Sequence, residues 1–458
     1  MSSRVVIIGG DAAGMTAAAT LRRTLPEGDE VVVLERGGWT SYSACGIPYW
    51  IAGEVAEPQD LVARTAAEHV ANGIDLRLGV EATAIDPARR TVTFRDPDGS
   101  VDVLTYDRLV IATGAEPVRP ALPGIDGTGI YGVQTLDDGQ ALIDGLAAGP
   151  GSVVVVGSGY VGLEIAEACV IRGFDTTVVE RGSAPLAIVE PLLGTQIAEA
   201  MRGRGITLRV GTNVTGFALD ASGQVEGVMT DGGTLAADLV VLGLGVTARS
   251  ALAAQAGLPL GVKGGIVVDE HQRVIGFPEM WAAGDCVVSK DRVTGEQIHL
   301  PLGTHANKQG MVAADSLSAD LLDREPSLTF PGVVQTAITK FCSLEISRTG
   351  LGEQQARDAG FDPVMVHVET TNFAGYMPGA GTMTVVMVAD RSTRRLLGAQ
   401  IVGAEDAALR IDVAATALAA GLAVDDVVML DLAYAPPFSS VWSPIQVAAR
   451  AMVKALRG

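Results

Sequence analysis

The stretch Val153-Val-Val-Val-Gly-Ser-Gly-Tyr-Val-Gly162 decides the fold of this chain. Four β-branched residues form a short strand that runs into a glycine turn, and Gly157, Gly159 and Gly162 stand at the spacing of a dinucleotide-binding fingerprint. Each glycine serves a physical need. The first makes the tight turn, the second lets the backbone approach a pyrophosphate, and the third lets the following helix pack closely on its strand. That helix is expected over residues 163–172. The next strand, residues 176–180, ends in Glu180, whose carboxylate can accept hydrogen bonds from a ribose and repel a 2′-phosphate. NADH is therefore favoured, and Arg181 alongside leaves NADPH open. Strands at residues 238–242 and 265–269 are expected to close this unit.

A looser copy of the pattern opens the chain. Residues 5–8 form a β-branched run, Gly9-Gly-Asp-Ala-Ala-Gly14 makes the turn, and an Ala-rich helix is expected over residues 15–25. Asp11 stands where the middle glycine belongs. The second strand, residues 31–35, restores the signal by ending in Glu35, an acid at the ribose-binding distance. Two dinucleotide sites in one chain follow. Residues 61–73 have helical spacing, 75–78 and 91–94 alternate as strands do, and Asp96-Pro-Asp-Gly99 is a turn between strands. Residues 106–114 read as a strand ending in Thr113-Gly114, and Pro117, Pro120 and Pro123 as a linker. Met280-Trp-Ala-Ala-Gly-Asp-Cys286 delivers Asp285 after Gly284, a carboxylate able to hold a polyhydroxylated chain or to cap the segment that follows.

Between the two units lies Ser41-Tyr-Ser-Ala-Cys-Gly-Ile-Pro-Tyr-Trp50. Cys45 is the expected chemical centre. A redox pair would place a second thiol five positions on, where this chain has Trp50, so oxidised Cys45 must be a mixed disulfide, a persulfide or a sulfenic acid. The other cysteines, Cys169, Cys286 and Cys342, show neither zinc-ligand spacing nor a disulfide framework.

Composition narrows the class. The chain has 458 residues, too many for one core, with 48% hydrophobic residues, 4% aromatics and 56 glycines, which favours helix-on-sheet layers. Its net charge of -20 excludes nucleic acid and anionic membranes as partners in the absence of any basic run. The first strand begins at once and no apolar run reaches membrane length, so the expected location is cytoplasmic. From residue 330 the chain changes to an α+β pattern: three alternating strands near 364–369, 383–387 and 396–402, then helices at 404–421 and 443–456. Tyr434-Ala-Pro-Pro-Phe438 and Tyr376-Met-Pro-Gly-Ala380 each set a phenol beside proline, as an aimed side chain or as a turn with an aromatic staple.

Together with Pro301-Leu-Gly-Thr-His-Ala-Asn-Lys-Gln-Gly310, this ordered set resembles the FAD-dependent pyridine nucleotide-disulfide oxidoreductases over nearly the whole chain. Within them it is similar to the single-cysteine branch of coenzyme A-disulfide reductases, NADH oxidases, NADH peroxidases and persulfide reductases. The resemblance implies an α/β fold with two Rossmann-like domains, for FAD and NAD(P)H, and a C-terminal α+β dimerisation domain. Expected boundaries are 1–149 and 271–328 for the FAD domain, 150–270 for the NAD(P)H domain and 329–458 for dimerisation.

Carried over residue by residue, FAD falls to Gly9, Gly10, Asp11, Ala12, Ala13, Gly14, Glu35, Arg36, Ser41, Thr113, Gly114, Gly284, Asp285, Pro301, Leu302 and Ala306. The nicotinamide nucleotide falls to Gly157, Gly159, Tyr160, Val161, Gly162, Glu164, Glu180 and Gly245. Cys45 is then the redox thiol, held as thiolate and re-reduced by NAD(P)H through FAD, and Tyr434, with Tyr376, is a phenol reaching the partner's site in a homodimer. The implied activity is reduction of coenzyme A disulfide or a related small disulfide. Arg22 and Arg23 on the first helix read either as contacts for its phosphates or as solvated surface cations. Two rivals stand beside it: an NADH oxidase cycling Cys45 through sulfenic acid, and a flavoprotein electron carrier or redox sensor. Ala12, where peroxidase and oxidase members carry His, speaks against peroxide chemistry. Met377 and Ala44 depart from the disulfide-reducing pattern, and the lack of a sulfurtransferase segment after Gly458 speaks against persulfide.

Overall fold

The computed structural model describes residues 2–149 and 151–457. Two five-stranded parallel sheets and one five-stranded antiparallel sheet organise them. The first parallel sheet runs in the order Met280–Ala282, Arg108–Ile111, Arg4–Ile8, Glu30–Glu35, Asp75–Leu78. The second repeats the plan with Thr207–Arg209, Asp175–Val179, Ser152–Val156, Leu239–Leu242 and Ile130–Tyr131. Their central strands are buried on both faces, which is why Val5 to Ile8, Val31 to Leu34 and Val153 to Val156 read as unbroken apolar runs.

Both glycine turns lead into helices, Ala12–Thr24 and Tyr160–Ile171, which begin three residues earlier than periodicity predicts. The helix Ala12–Thr24 lies against the long helix Gly303–Leu321, and the two approach closely because Gly310 faces Ala13: a Cβ on Gly310 would stand 2.3 Å from the Ala13 carbonyl oxygen. This contact brings the return segment with Gly284 and Asp285 beside the first turn.

Several local expectations change. Residues 61–73 divide into a 3-10 turn, Pro58–Leu61, and a helix, Ala66–Ala71, whose Thr65 hydroxyl accepts the Glu68 N–H. Residues 265–269 make no regular strand. Ile266 instead bridges Val287 and packs in the same cluster as Val6 and Leu109, against the first sheet. Val246–Ala248 pairs antiparallel with Ala115–Pro117, so the chain leaves and re-enters the first unit side by side.

The C-terminal sheet has five strands, ordered Ala337–Phe341, Leu344–Gly350, Leu396–Gly403, Thr382–Asp390, Pro363–Thr371. Its central strands are buried on both faces and do not alternate. The helices Ile411–Ala420 and Pro444–Ala455 cover one face, with Ile445 and Met452 in the cluster that holds Val385 and Ile401. Val386 and Val402 on the other face join the core of the second parallel sheet. No helix among the described residues is long and apolar enough to cross a membrane, and none of their His, Cys, Asp and Glu side chains form a metal-binding group.

Candidate active site

The two glycine turns follow one design. Gly9 adopts φ +107°, and a Cβ there would stand 2.1 Å from the Ala112 carbonyl oxygen; Gly157 adopts φ +95° with the Gly243 oxygen at 2.5 Å. Gly14 and Gly162 are closed to any side chain by the carbonyl oxygens of Gly9 and Gly157. Gly159 differs, since an added Cβ would meet no protein atom within 4 Å. The middle position therefore faces open space, as a backbone cradle for a pyrophosphate should. The same room explains how Asp11 is accommodated at the middle position of the first turn.

Glu35 lies back on its turn, accepting the Gly10 N–H and the Gly37 N–H, both at 2.6 Å. Asp11 accepts the Tyr42 N–H at 3.1 Å and caps no N–H of the helix it precedes. Burial, helped by the nearby Glu35 and Asp285 charges, pushes the Asp11 carboxyl up to about 7. Thr40 Oγ1 donates to the Gly10 carbonyl oxygen at 2.6 Å, and Ser41, at φ +50°, pairs its hydroxyl with His69 Nε2 at 2.9 Å. These bonds fasten the thiol segment to the first turn. Ala12 and Ala13 begin the helix, and Arg36 is exposed beyond Glu35.

Asp285 enters from the return segment. Burial raises its carboxyl, with His299 opposing, and no donor reaches that carboxylate among the described residues. Its backbone oxygen, in contrast, lies 2.7 Å from His299 Nε2. A half-buried carboxylate without a donor beside an open glycine turn fits the ribitol hydroxyls of FAD. Gly284, at φ +87°, has its N–H bonded to Gln309 Oε1 at 2.8 Å. Pro301 and Leu302 lead into Gly303–Leu321, which carries buried Ala306. The Thr113 hydroxyl donates to the Arg249 carbonyl oxygen at 2.6 Å, and the Arg249 N–H returns to the Gly114 oxygen at 3.0 Å.

In the second unit Tyr160 and Val161 start the helix, half-buried, and Glu164 follows one turn later. Glu164 accepts the Thr339 hydroxyl at 2.8 Å, and burial raises its carboxyl. Lys340 spans three parts of the chain: its ammonium reaches Glu167 at 2.9 Å and Glu54 at 3.7 Å, and lies 5.2 Å from the Tyr49 ring centre. Thr339 and Lys340 carry no sequence signal, because their contacts cross some 170 residues of chain. Gly245, at φ +82°, faces open space.

Cys45 is exposed in the 3-10 turn Ala44–Gly46, immediately before the helix Ile47–Ala52, which packs along Tyr160–Ile171. Trp50 is buried in the core, so no internal partner exists at that position. Cys169 and Cys286 are buried, and the Cys286 thiol faces the carbonyl oxygens of Ile111 and Ala283 as a core filler. Desolvation raises the Cys45 thiol, and the charges of Glu164, Asp285 and Asp11 add to the rise. The side chains of this chain therefore favour the thiol, contrary to the expected thiolate-stabilising environment.

Two further placements are informative. Arg22 spends its guanidinium on the carbonyl oxygens of Asp29, Leu25 and Pro26, and the groove that it and Arg23 border also holds Glu27, Asp29, Glu30 and Asp75. That groove is poorly suited to phosphate. Tyr376 and Tyr434 come together on the C-terminal domain, 75% and 48% exposed, far more than a phenol in a finished site. Ala374 N–H bonds the Pro436 oxygen at 3.1 Å, and Arg410 ties both loops through the oxygens of Asn372 and Phe438. Neither phenol shares a charge contact with Cys45 within one chain.

Comparison with known proteins agrees with this geometry. The chain is 36% identical over 99% of its length, and 99% of the other's, to an NAD(P)H coenzyme A polysulfide/persulfide reductase of Pyrococcus horikoshii. It is 32% identical, over 99% of each chain, to an NADH oxidase of Methanocaldococcus jannaschii. The solved NAD-dependent persulfide reductase of A. fulgidus superposes with a TM-score of 0.94 at 34% identity, covering 99% of this chain and 84% of that one. With residues 3–310 matching the pyridine nucleotide-disulphide oxidoreductases and residues 336–444 matching their dimerisation domain, the chain belongs to the pyridine nucleotide-disulphide oxidoreductase family.

Proposed function

We propose that this protein is a homodimeric NAD(P)H-dependent reductase that uses FAD and Cys45 to split coenzyme A disulfide or a related small disulfide or persulfide. The observation that carries this reading is the exposed Cys45 thiol at the meeting of the two nucleotide units, where charges from Asp11 and Asp285 on one side and Glu164 on the other converge. FAD, when bound, supplies the two-electron relay between the nicotinamide and the sulfur.

The glycine turn and Asp285 hold and orient that group, and Trp50 keeps the thiol segment packed. Cys45 sulfur attacks one sulfur of the substrate, the S–S bond breaks, one thiolate leaves, and a mixed disulfide remains on Cys45. Two electrons from NAD(P)H then break that mixed disulfide, which releases the second thiol and returns Cys45 to the reduced state. Tyr434 of the partner subunit protonates the leaving thiolate, with Tyr376 of the partner subunit beside it. Gly9, Gly10, Asp11, Ala12, Ala13, Gly14, Glu35, Arg36, Ser41, Thr113, Gly114, Gly284, Asp285, Pro301, Leu302 and Ala306 would hold the flavin, and Gly157, Gly159, Tyr160, Val161, Gly162, Glu164, Glu180 and Gly245 would receive the nicotinamide nucleotide.

The Methanocaldococcus relative supports a second reading, an NADH oxidase, and one experiment separates the two. NADH consumption by the FAD-loaded dimer is followed without oxygen, with coenzyme A disulfide present, and air is then admitted. Anaerobic turnover that disappears in Cys45→Ser is expected; consumption that starts only with air replaces the disulfide reading by the oxidase one.

A further inference from the structure

Gly10 and Ser158 occupy equivalent places in the two glycine turns, and each faces the acid at the end of the next strand. In the first turn two backbone donors hold Glu35, Gly10 N–H on Oε2 and Gly37 N–H on Oε1. In the second, Ser158 N–H donates to Glu180 Oε2 at 3.0 Å and Gly182 N–H to Oε1 at 2.7 Å. The Ser158 hydroxyl adds a third bond, to Oε2 at 2.6 Å. The first turn has no room for this device, because a Cβ on Gly10 would stand 2.7 Å from the Glu35 Cβ.

Ser158 is 1% exposed, so its single hydroxyl proton has no competing water, and a short bond from a hydroxyl to a carboxylate is among the stronger ones. Three donors fix the rotamer of Glu180. A fixed carboxylate retains one lone pair, on Oε1, for a ribose hydroxyl, yet cannot swing away from an incoming phosphate. Arg181 is exposed next to it and forms no ion pair among the described residues. Once the carboxylate is free to turn outward, that cation is the nearest neighbour in sequence able to meet a 2′-phosphate.

We propose that Ser158 is a specificity-determining positioning residue, whose hydroxyl locks Glu180 in the orientation that accepts the adenosine ribose of NADH and rejects the 2′-phosphate of NADPH. This rests on the second turn being the site of the nicotinamide nucleotide. NAD⁺ and NADP⁺ binding to the FAD-loaded protein is measured by calorimetry, with no disulfide present, for the wild type, Ser158→Ala, Glu180→Ala and the double variant. Loss of one charge-assisted hydrogen bond should lower the NAD⁺:NADP⁺ affinity ratio about tenfold in Ser158→Ala. In the Glu180→Ala background the same serine change should leave the ratio unaltered. Equal weakening of both nucleotides, or the same change of ratio with and without Glu180, would overturn the proposal. A wild type that binds neither nucleotide would overturn the underlying reading of the turn, a different and separable failure.

Discussion

In the proposed mechanism the chemistry turns on Cys45, and its surroundings set a clear expectation for acid–base behaviour. Partial desolvation of the sulfur, although the residue as a whole is exposed, and three carboxylates push its thiol above the ordinary cysteine value, so the sulfur loses its proton only at higher pH. In flavin-free protein, iodoacetamide labelling of Cys45 should therefore reach half its maximal rate at a pH above that of a free cysteine, about 8.5. A midpoint below that value would contradict the electrostatic account. Whatever stabilises the reactive anion must then come with the bound flavin or the partner subunit. The sequence disclosed Cys45 and the missing second thiol through spacing alone. It did not disclose the raised thiol, because Glu164 and Asp285 lie far away along the chain and only the fold brings their charge to the sulfur.

At the scale of single elements, the glycine turns were legible because each glycine answers a local backbone demand, as Gly9 and Gly157 do with their positive φ. Alternation failed for the C-terminal sheet, where Thr382–Asp390 and Leu396–Gly403 are covered on both faces. Ala337–Phe341 and Leu344–Gly350 went unseen because Thr339 and Lys340 interrupt the apolar pattern for contacts with distant Glu164 and Glu167, and Arg348 interrupts it for bonds to nearby Gly350 and Gln355. The hairpin after Asp390 shows what secures this sheet. Asp390 is 4% exposed and accepts bonds from the Ser392 hydroxyl, the Thr393 hydroxyl and N–H, and the Asp362 N–H. Burial opposes ionisation, but those bonds outweigh it and bring the carboxyl down to about 2. Its folded value lies below the unfolded one, so its stabilisation is present above pH 4 and is lost as pH falls toward 2. Asp390→Asn should cost about 2 kcal/mol at neutral pH, seen by chemical denaturation, and flatten the acid limb between pH 4 and 2. An unchanged midpoint would show that the hairpin is held by its backbone alone.

Over the whole molecule, the two nucleotide units and the C-terminal domain share one core at their junction, where Ile47, Trp50, Val155, Leu163, Phe341 and Val386 pack together. The thiol segment is thus clamped between units that bind different cofactors. The exposed face of the C-terminal domain carries Tyr376, Met429, Tyr434, Phe438 and Val441, an apolar surface unlike that of a protein that stays single. Family resemblance, not composition, made that face readable as a dimer surface, since its residues come from two loops that are separate in the chain. The central claim is that the thiol itself carries the substrate's sulfur, and intact-protein mass spectrometry tests it most directly. FAD-loaded protein is reduced with NADH, freed of nucleotide and treated anaerobically with coenzyme A disulfide. A mass gain of one coenzyme A thiol, mapped to the Cys45 peptide, reversed by NADH and absent in Cys45→Ser, is the predicted result. An unmodified Cys45 in protein that still consumes the disulfide would contradict the account.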